Sequence, residues 1–261
     1  MTTVFGIASQ FLAVDSRWTY KGQTKPVDEH PTRKMVQFGN EIAFFAGDEL
    51  PIVVEQASFL ELVDDDIVLE LMAHLSDSGE VMETLTVEES NGQIISGYPN
   101  YYPRLIETDS NLLFLGSGGI HACDFFYYAR KKGKLSDLKC NALGAVRYAS
   151  IKDDATGGRT SCQVWTPNHS CERFLAKNEL SLYDINDYNS YIRIKVQNAY
   201  NLINTSGISN MSKSRPAATL PLKSDFSSAP RDVRGESTLR QVSLSDAVSR
   251  LAARKARRSK S

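Results

Sequence analysis

The sequence predicts an α+β fold in which two antiparallel sheets pack together with helices outside, a four-layer αββα arrangement. Three observations lead to this prediction. Strand-like hairpins open the chain, two helical stretches follow them, and further strand-like segments precede a second pair of helical stretches. Hairpins, helices, strands, helices and a final strand, in that order, are typical of packed sheets covered by helices.

Two hairpins are predicted at the start of the chain. VFGIAS and QFLAVDS alternate loosely between apolar and other residues and are separated by one short turn. KMVQFG and EIAFFAG repeat this pattern, and the Gly39-Asn40 pair between them is typical of a tight turn. We therefore expect these four segments to be strands.

Helical stretches follow the second hairpin. From Asp48 to Leu75 apolar residues recur at helical spacing, and a break near Asp64–Asp66 divides this stretch into two helices. Strand-like VMETLTVE, GQIISGY and LLFLGSG come next. Two more helices are predicted over Ala122–Lys131 and Ser136–Lys152, and Ser136 has the side chain of an N-cap. GRTSCQVWT then returns the chain to strand.

Charge divides the chain near residue 207. Residues 211–261 carry 12 Lys or Arg against 4 Asp or Glu, whereas residues 1–210 carry 18 against 27. The division falls at SGISNMSKSRPAATLP, a mixture that buries too little apolar surface to order itself. We therefore expect a folded domain over residues 1–207 and a basic, largely disordered tail over residues 208–261.

The end of this tail has the pattern of an amphipathic helix, SLSDAVSRLAARKARRSKS. Leu244, Val248 and Leu251 share one side. Its cations are Arg250, Arg254, Lys255, Arg257 and Arg258. Such a helix fits an acidic partner, nucleic acid or a partner's groove, and a solvated tail is the alternative.

Composition narrows the function classes. With 41% hydrophobic and 23% charged residues the chain has an ordinary globular composition. No apolar run reaches the roughly 18–20 residues that span a bilayer, so no membrane partner is expected. The start lacks the basic and then apolar stretches of a signal peptide, and a cytoplasmic location is the default expectation.

Metal and cofactor chemistry is not expected. Four cysteines and four histidines are scattered along the chain without the spacing of a zinc site, a redox pair or another ligand set. We interpret the cysteines as reduced thiols. These are Cys123, Cys140, Cys162 and Cys171.

The first residues suggest a nucleophile. The strand-like run in MTTVFGIASQ begins almost directly after the initiator methionine. If Met1 is trimmed, as is usual before a small residue, Thr2 carries a hydroxyl and a free α-amine. That amine, with an unperturbed pKa of about 7.7–8.0, can act as the base for the hydroxyl. The alternative is an ordinary start of a strand.

Further motifs follow this start in order. AVDSRWT contains Asp15, RKMVQF contains Lys34, FAGDE contains Gly47, LGSGG contains Ser117 and KDDATGG contains Asp153. With the paired threonines, this set resembles the proteasome β-subunit family of N-terminal nucleophile hydrolases, which includes the HslV peptidases. The resemblance covers residues 2–158 and implies the αββα fold of that family.

The resemblance implies a threonine-type endopeptidase. Thr2 would be its nucleophile, with Asp15 and Lys34 as charged partners. The Lys34 ammonium would lower the pKa of the amine, and the Asp15 carboxylate would hold that ammonium in place. Gly47 would donate its backbone N–H to the oxyanion. The polar cluster around the amine would consist of Ser117, Asp153 and Thr156, the last in place of the family's usual Ser.

Substrate-binding residues are implied as well. They are Arg17, Trp18, Thr19, Phe45 and Glu49. Trp18 stands where most members have a small residue lining the specificity pocket, and Asp48-Glu49 replace a small pair. The cleavage preference is therefore open.

The implied partners are a peptide or unfolded protein as substrate and further copies of the chain in a homo-oligomeric ring, with an ATP-dependent unfoldase left open. The alternative is a catalytically inactive, proteasome-like assembly subunit whose basic tail binds a partner. A retained Met1 would block the amine of Thr2. Amide hydrolysis of a small molecule is a further alternative. A compact core with a basic appendage would suit a phage-encoded member.

Overall fold

The chain folds into a mixed set of helices and antiparallel strands, which is the predicted α+β class. The computed structural model describes residues 3–20, 26–107, 110–133, 138–165, 172–174, 185–210, 226–227 and 240–259. The predicted nucleophile Thr2 and most of the predicted tail from residue 211 to residue 239 lie outside this part of the chain.

The elements are named here in chain order. The first are β1 (Val4–Ile7), β2 (Phe11–Asp15), β3 (Trp18–Tyr20), β4 (Pro26–Val27), β5 (Met35–Phe38), β6 (Glu41–Gly47), α1 (Glu49–Phe59), α2 (Asp65–Asp77), β7 (Met82–Glu88) and β8 (Ile94–Gly97). The others are β9 (Asn100–Glu107), β10 (Ser110–Leu115), α3 (Ser117–Lys131), α4 (Leu138–Lys152), β11 (Thr160–Val164), β12 (Glu172–Phe174), α5 (Ile185–Asn210), β13 (Phe226–Ser227) and α6 (Leu244–Arg258).

Two larger sheets contain the predicted hairpins. A six-stranded sheet has the order β12-β11-β2-β1-β10-β9, and a four-stranded sheet has the order β5-β6-β7-β8. The first hairpin pairs Ile7 with Phe11, and the second pairs Phe38 with Glu41. Gly39 in the second turn has a φ of +58°, which a glycine adopts without steric cost. Both hairpin predictions are confirmed.

Side chains of successive strand residues point to opposite faces of the six-stranded sheet. Val4 and Val14 belong to an apolar cluster that they share with Phe44 and Ala46 of the four-stranded sheet. Phe5 points the other way, into a cluster with residues of α3 and α4. The four-stranded sheet buries its other face with α1, α2, α5 and α6. The two larger sheets therefore share one apolar cluster, and each also shares an apolar cluster with helices.

The predicted helices are confirmed, with shifted ends. The break near Asp64–Asp66 separates α1 from α2, while α3 begins at Ser117 rather than Ala122. Helix α4 begins at Leu138, and the predicted N-cap Ser136 lies outside the described residues. Cys123 and Cys162 are buried thiols that form no disulfide, as predicted for two of the four cysteines.

Helix α5 was not predicted. It crosses the predicted domain boundary at residue 207 and packs against α1. Its buried residues Tyr188, Ile192, Val196 and Ala199 recur at helical spacing, so the signal was present but was interrupted by many polar residues. Strand β9 was also not predicted, because Pro103 interrupts it. A proline is tolerated there because β9 is an edge strand.

Residues 240–259 pack against the folded domain, although the sequence placed them in a largely disordered tail with a possible terminal amphipathic helix. Helix α6 forms as the amphipathic pattern predicted, and Ser243 caps it by accepting a hydrogen bond from the Asp246 N–H. Val242, Ala247 and Leu251 are buried in the cluster that contains α1 and α2. The segment that contains α6 is therefore part of the folded core.

The five cations of α6 bind carboxylates of the same chain, a pairing that the sequence did not predict, whereas binding of this segment to an acidic partner or nucleic acid stays a prediction. Arg250 and Arg254 both reach Glu55, at 2.9 Å and 2.6 Å. The outer pairs are Lys255 with Asp65, Arg257 with Glu41, and Arg258 with Glu61. These cations thus neutralise an acidic surface of the same chain.

No helix in the described part of the chain is both long enough and apolar enough to cross a bilayer.

The buried Glu55 generates a prediction about stability. Burial acts to raise the pKa of Glu55, but the Arg250 and Arg254 guanidinium groups outweigh it and hold the pKa below its ordinary value. Arg254→Gln leaves the carboxylate with one cation. We expect a loss of about 2 kcal/mol in the free energy of unfolding at pH 7, measured by urea denaturation.

The control is Arg257→Gln, which breaks a more exposed pair on the same helix and should cost about 0–1 kcal/mol. A carboxyl group with a lowered pKa in the folded state contributes stability above its unfolded pKa of about 4.3. This contribution is lost as the pH falls through the folded pKa. The difference between Arg254→Gln and the parent should therefore shrink below that pH. Equal losses in the two variants would contradict the assignment.

Candidate active site

The site is built around Asp15, which is fully buried at the end of β2. Its Oδ1 accepts hydrogen bonds from the Thr3 N–H at 2.9 Å and from the Lys34 ammonium at 3.1 Å. Its Oδ2 accepts from the Gly157 N–H at 2.9 Å and from the Arg17 N–H at 3.3 Å. A buried carboxylate needs such donors, and these four come from separate parts of the chain.

Lys34 reaches Asp15 from the other sheet. It directly precedes β5, and its carbonyl accepts the Phe45 N–H at 2.8 Å, so it lies across from the end of β6. The side chain is 2% exposed. Its ammonium also donates to the Arg17 carbonyl and lies 5.2 Å from the centroid of the Trp18 ring, which is within cation–π distance. The predicted Asp15–Lys34 pair is therefore present and excluded from water.

A second polar group lies around Thr3. The Thr3 and Thr156 hydroxyls are 2.9 Å apart, and the Thr156 hydroxyl donates to Asp153 Oδ2 at 2.7 Å. The backbone N–H of Thr3 binds Asp15, so this residue connects the two polar groups. Thr3 is not among the site residues that the sequence predicts. Its signal was its position as the second of the two adjacent threonines at the start of the chain.

Helix α3 supplies Ser117 and Gly118. A Cβ on Gly118 would lie 2.1 Å from the Thr156 hydroxyl and 2.2 Å from the Thr3 hydroxyl, so only glycine allows these side chains to approach the helix. The Ser117 hydroxyl oxygen is buried, and it has no hydrogen-bond partner in the described part of the chain. Ser117 therefore directly precedes Gly118, the residue that packs against the Thr3 and Thr156 hydroxyls, and the Ser117 hydroxyl is unsatisfied within the described residues.

Gly47 ends β6 with a φ of +132°, a conformation that other residues rarely adopt. A Cβ at this position would lie 2.3 Å from the Val81 carbonyl oxygen. The preceding residue Ala46 packs in the same cluster between the sheets as Val4, the residue after Thr3. The turn and the start of β1 therefore border one cluster.

The predicted substrate-binding residues are mostly enclosed. Trp18 and Phe45 are both fully buried, and the Trp18 indole N–H donates to the Thr32 carbonyl at 3.1 Å. Arg17 extends away to Asp28, at 2.6 Å. Thr19 is 8% exposed. Trp18 and Phe45 thus fill space beside Lys34 and do not line an open pocket.

Glu49 belongs to a buried polar network next to this space. Its Oε1 accepts from the Thr32 hydroxyl at 2.8 Å, the Tyr191 hydroxyl at 3.1 Å and the Lys195 ammonium at 2.8 Å. The imidazole of His30 lies 3.7 Å from the same oxygen. Burial lowers the pKa of His30 to about 4, even though Glu49 opposes this shift. His30 is therefore neutral at pH 7.

No group of three or more His, Cys, Asp or Glu in the described residues is arranged to hold a metal ion. The site instead contains the buried Lys34 ammonium and Asp15 carboxylate. It also contains the hydrogen-bonded hydroxyls of Thr3 and Thr156 and the Ser117 hydroxyl, which is unsatisfied within the described residues. These groups can hold an amine and a hydroxyl in defined protonation states.

Comparisons with known proteins return solved structures alone. No protein-family model matches the chain, and no curated protein sequence matches it. The structure titled Thiobacillus denitrificans BPH in complex with epoxomicin is similar over 64% of this chain and 100% of that chain, at 14% identity and a TM-score of 0.40. Eukaryotic HslV from Trypanosoma brucei is similar over 62% of this chain and 98% of that chain, at 12% identity and a TM-score of 0.40.

An HslV is thus among the structures to which the chain is similar, as its motifs predicted. A TM-score of 0.40 is too low for these two likenesses to carry an argument about activity. The evidence for this chain's chemistry is the arrangement of its own side chains.

Gly118 allows a test of the polar cluster. Gly118→Ala would place a methyl group against the Thr3 and Thr156 hydroxyls, so we expect a loss of about 2–3 kcal/mol in the free energy of unfolding. Gly144→Ala is the matched control. Gly144 is also helical, and its added Cβ would meet the Phe125 ring at 3.3 Å, so the change should stay within about 1 kcal/mol. Thermal or urea denaturation of both variants decides this, and equal effects would refute it.

His30 generates a prediction about pH. The unfolded chain takes up a proton near the ordinary pKa of about 6.5, whereas the folded His30 does so only at about 4. The contribution of His30 to stability is therefore fully present above the unfolded pKa, and it is lost as the pH falls from that value towards the folded pKa of about 4. The neutral Nδ1 also accepts the Thr32 N–H at 3.1 Å, a bond that protonation would remove.

We expect the parent to lose up to about 2 kcal/mol between pH 7 and pH 5 through this group. His30→Asn keeps a short acceptor side chain and cannot titrate, so its stability should depend less on pH in this range. Urea denaturation at both pH values measures the difference, and identical pH profiles would contradict the assignment.

Proposed function

We propose that the chain is an N-terminal nucleophile hydrolase of the proteasome β-subunit and HslV type, with the four-layer αββα arrangement and threonine-type endopeptidase activity. Thr2 would be the nucleophile after removal of Met1. The observation that carries the proposal is the buried Asp15–Lys34 pair, since Asp15 also binds the backbone N–H of Thr3 at 2.9 Å. Asp15 thereby fixes the residue directly after Thr2.

The reaction follows from these groups. The α-amine of Thr2 takes the hydroxyl proton as Oγ attacks the substrate carbonyl, and the nearby Lys34 ammonium keeps that amine unprotonated beforehand. The carbonyl oxygen gains negative charge and accepts the Gly47 N–H. The C–N bond then breaks as the ammonium of Thr2 returns its proton to the leaving amine. Water hydrolyses the resulting ester and regenerates the hydroxyl.

The polar cluster supports the base. The Ser117 hydroxyl is buried without a partner among the described residues, and an unsatisfied buried hydroxyl costs free energy. A hydrogen bond to the Thr2 amine would remove that cost. The hydrogen bonds that join the side chains of Thr3, Thr156 and Asp153 hold the residue that follows Thr2. Both features fit an amine held at the start of β1.

Substrates would be peptides or unfolded proteins, and active sites would be enclosed in a homo-oligomeric ring, with an ATP-dependent unfoldase as an additional partner. The second candidate, an inactive assembly subunit, is favoured by one observation. Trp18 and Phe45 are fully buried and occupy the space beside Lys34 where a substrate side chain would enter.

Two measurements test the peptidase proposal. Intact mass of the purified chain must lack one methionine, because a retained Met1 blocks the amine. Thr2→Ala should lower kcat on an unstructured peptide by about a thousandfold or more without loss of stability. Thr3→Ser, which keeps a hydroxyl, is the matched control and should stay within about tenfold of the parent.

The contrary results are distinct. An active parent with an equally active Thr2→Ala would overturn the assignment of the nucleophile. A correctly processed parent without peptidase activity would favour the inactive subunit.

A further inference from the structure

Residues 80–82, directly before β7 and at its first residue, pair with residues 240–242 of the C-terminal segment. The Met82 N–H donates to the Arg240 carbonyl at 2.9 Å, and the Val242 N–H donates to the Glu80 carbonyl at 2.8 Å. Val81 and Gln241 are antiparallel partners between these two bonds. Residues 240–242 therefore extend the sheet next to the start of β7.

The same part of β7 holds the Gly47 turn. The Asp48 N–H donates to the Val81 carbonyl at 2.8 Å, and the Val81 N–H donates to Asp48 Oδ2 at 3.0 Å. Gly47 lies across from Met82 in the ladder. A shift of Val81 or Met82 would therefore move the backbone N–H groups of this turn.

Glu83, the next residue, reaches the Ser117 turn. Its Oε2 accepts the Gly116 N–H at 2.9 Å, and its Oε1 accepts from the Asn100 amide at 3.2 Å. Gly116 directly precedes Ser117 and has a φ of +69°. The carboxylate is buried, and Arg240 is close enough to act on it electrostatically. Three consecutive residues, Val81 directly before β7 and Met82 and Glu83 at its start, thus connect the C-terminal segment with both turns of the candidate site.

Helix α6 fixes the segment in this position. Val242, Ala247 and Leu251 are buried against the helices that cover the four-stranded sheet. Arg250 and Arg254 bind Glu55 on α1, and α1 begins at Glu49, two residues after Gly47. The segment is therefore linked to the Gly47 turn in two ways, through β7, which pairs with Gly47, and through α1, which follows the turn.

We propose that residues 240–258 are a positioning element of the candidate site. Docking of this segment holds Glu80–Glu83, and these residues hold the Gly47 and Ser117 turns at their working separation. The catalytic part of this inference rests on the proposed function. The structural part, a coupling between the segment and the two turns, does not.

The test removes one hydrogen bond of the segment. Val242→Pro removes the N–H that binds Glu80 and keeps a side chain of similar volume. Val242→Ala keeps the N–H and removes packing. Gln241→Pro is the matched proline control, because the Gln241 N–H has no hydrogen bond within the described residues.

Hydrogen exchange of two backbone amides is the first readout. In Val242→Pro the Asp48 and Gly116 amides should exchange about tenfold faster. The Trp165 amide, which donates to the Gln10 carbonyl in the other sheet, should be unchanged. Gln241→Pro should match the parent at all three. Parental exchange at Asp48 and Gly116 in Val242→Pro would overturn the proposal, as would equal acceleration in both proline variants.

Peptidase kinetics are the second readout. Val242→Pro should lower kcat by about tenfold with little change in KM, because the turns act on the transition state, and Val242→Ala should lose less. Unchanged kcat in Val242→Pro would overturn the catalytic part. A parent inactive on peptides would count against the proposed function alone, since the exchange readout remains decisive.

If Val242→Pro does not fold, Arg254→Gln replaces it, because that variant weakens docking of α6 without changing residues 240–242. Faster exchange at Asp48 and Gly116, with an unchanged Trp165 amide, then supports the proposal. Parental exchange at these two amides would overturn it.

Discussion

The arrangement of the candidate site depends on one buried carboxylate, Asp15, and on its four donors. Its oxygens bind the backbone of Thr3 and Gly157, the backbone of Arg17, and the ammonium of Lys34. These groups come from the start of β1, the turn before β11, the end of β2 and the neighbouring sheet. Because each donor satisfies part of an otherwise costly buried charge, the carboxylate sets the positions of all four segments.

Buried carboxylates connect distant segments elsewhere in the molecule as well. Glu55 connects α1 with α6, Glu83 connects β7 with the turn before α3, and Glu49 connects α1 with α5. Each carboxylate makes a short, directional bond to a second element. Apolar packing has no such direction and would not by itself fix where one element lies along the other. The chain thus uses apolar clusters to stack its elements and charged groups to set their relative positions.

This division explains the role of the basic C-terminal helix. Its apolar side joins the cluster over the four-stranded sheet, and its cations bind an acidic surface formed by the elements below. The segment before the helix pairs with residues 80–82. The start of β7 in turn contacts the Gly47 turn and the turn before α3. A part of the chain outside the matched motifs is therefore joined to the backbone next to the proposed chemistry.

The sequence by itself determined most of the elements, but not α5 or β9, and most of the candidate residues, but not Thr3. Alternation and helical spacing are local properties, so the hairpins, α1 to α4 and α6 could be predicted, and ordered motifs identified Asp15, Lys34 and Asp153. Tertiary structure alone decided the partners of the charges and the role of Thr3. Arg254 and Glu55 are separated by 199 positions, and no local pattern encodes a pairing over that distance. The sequence therefore did not reveal that the cations of α6 bind carboxylates of the same chain, because whether a charged helix face meets water or an opposite charge depends on the surface that the rest of the chain presents to it.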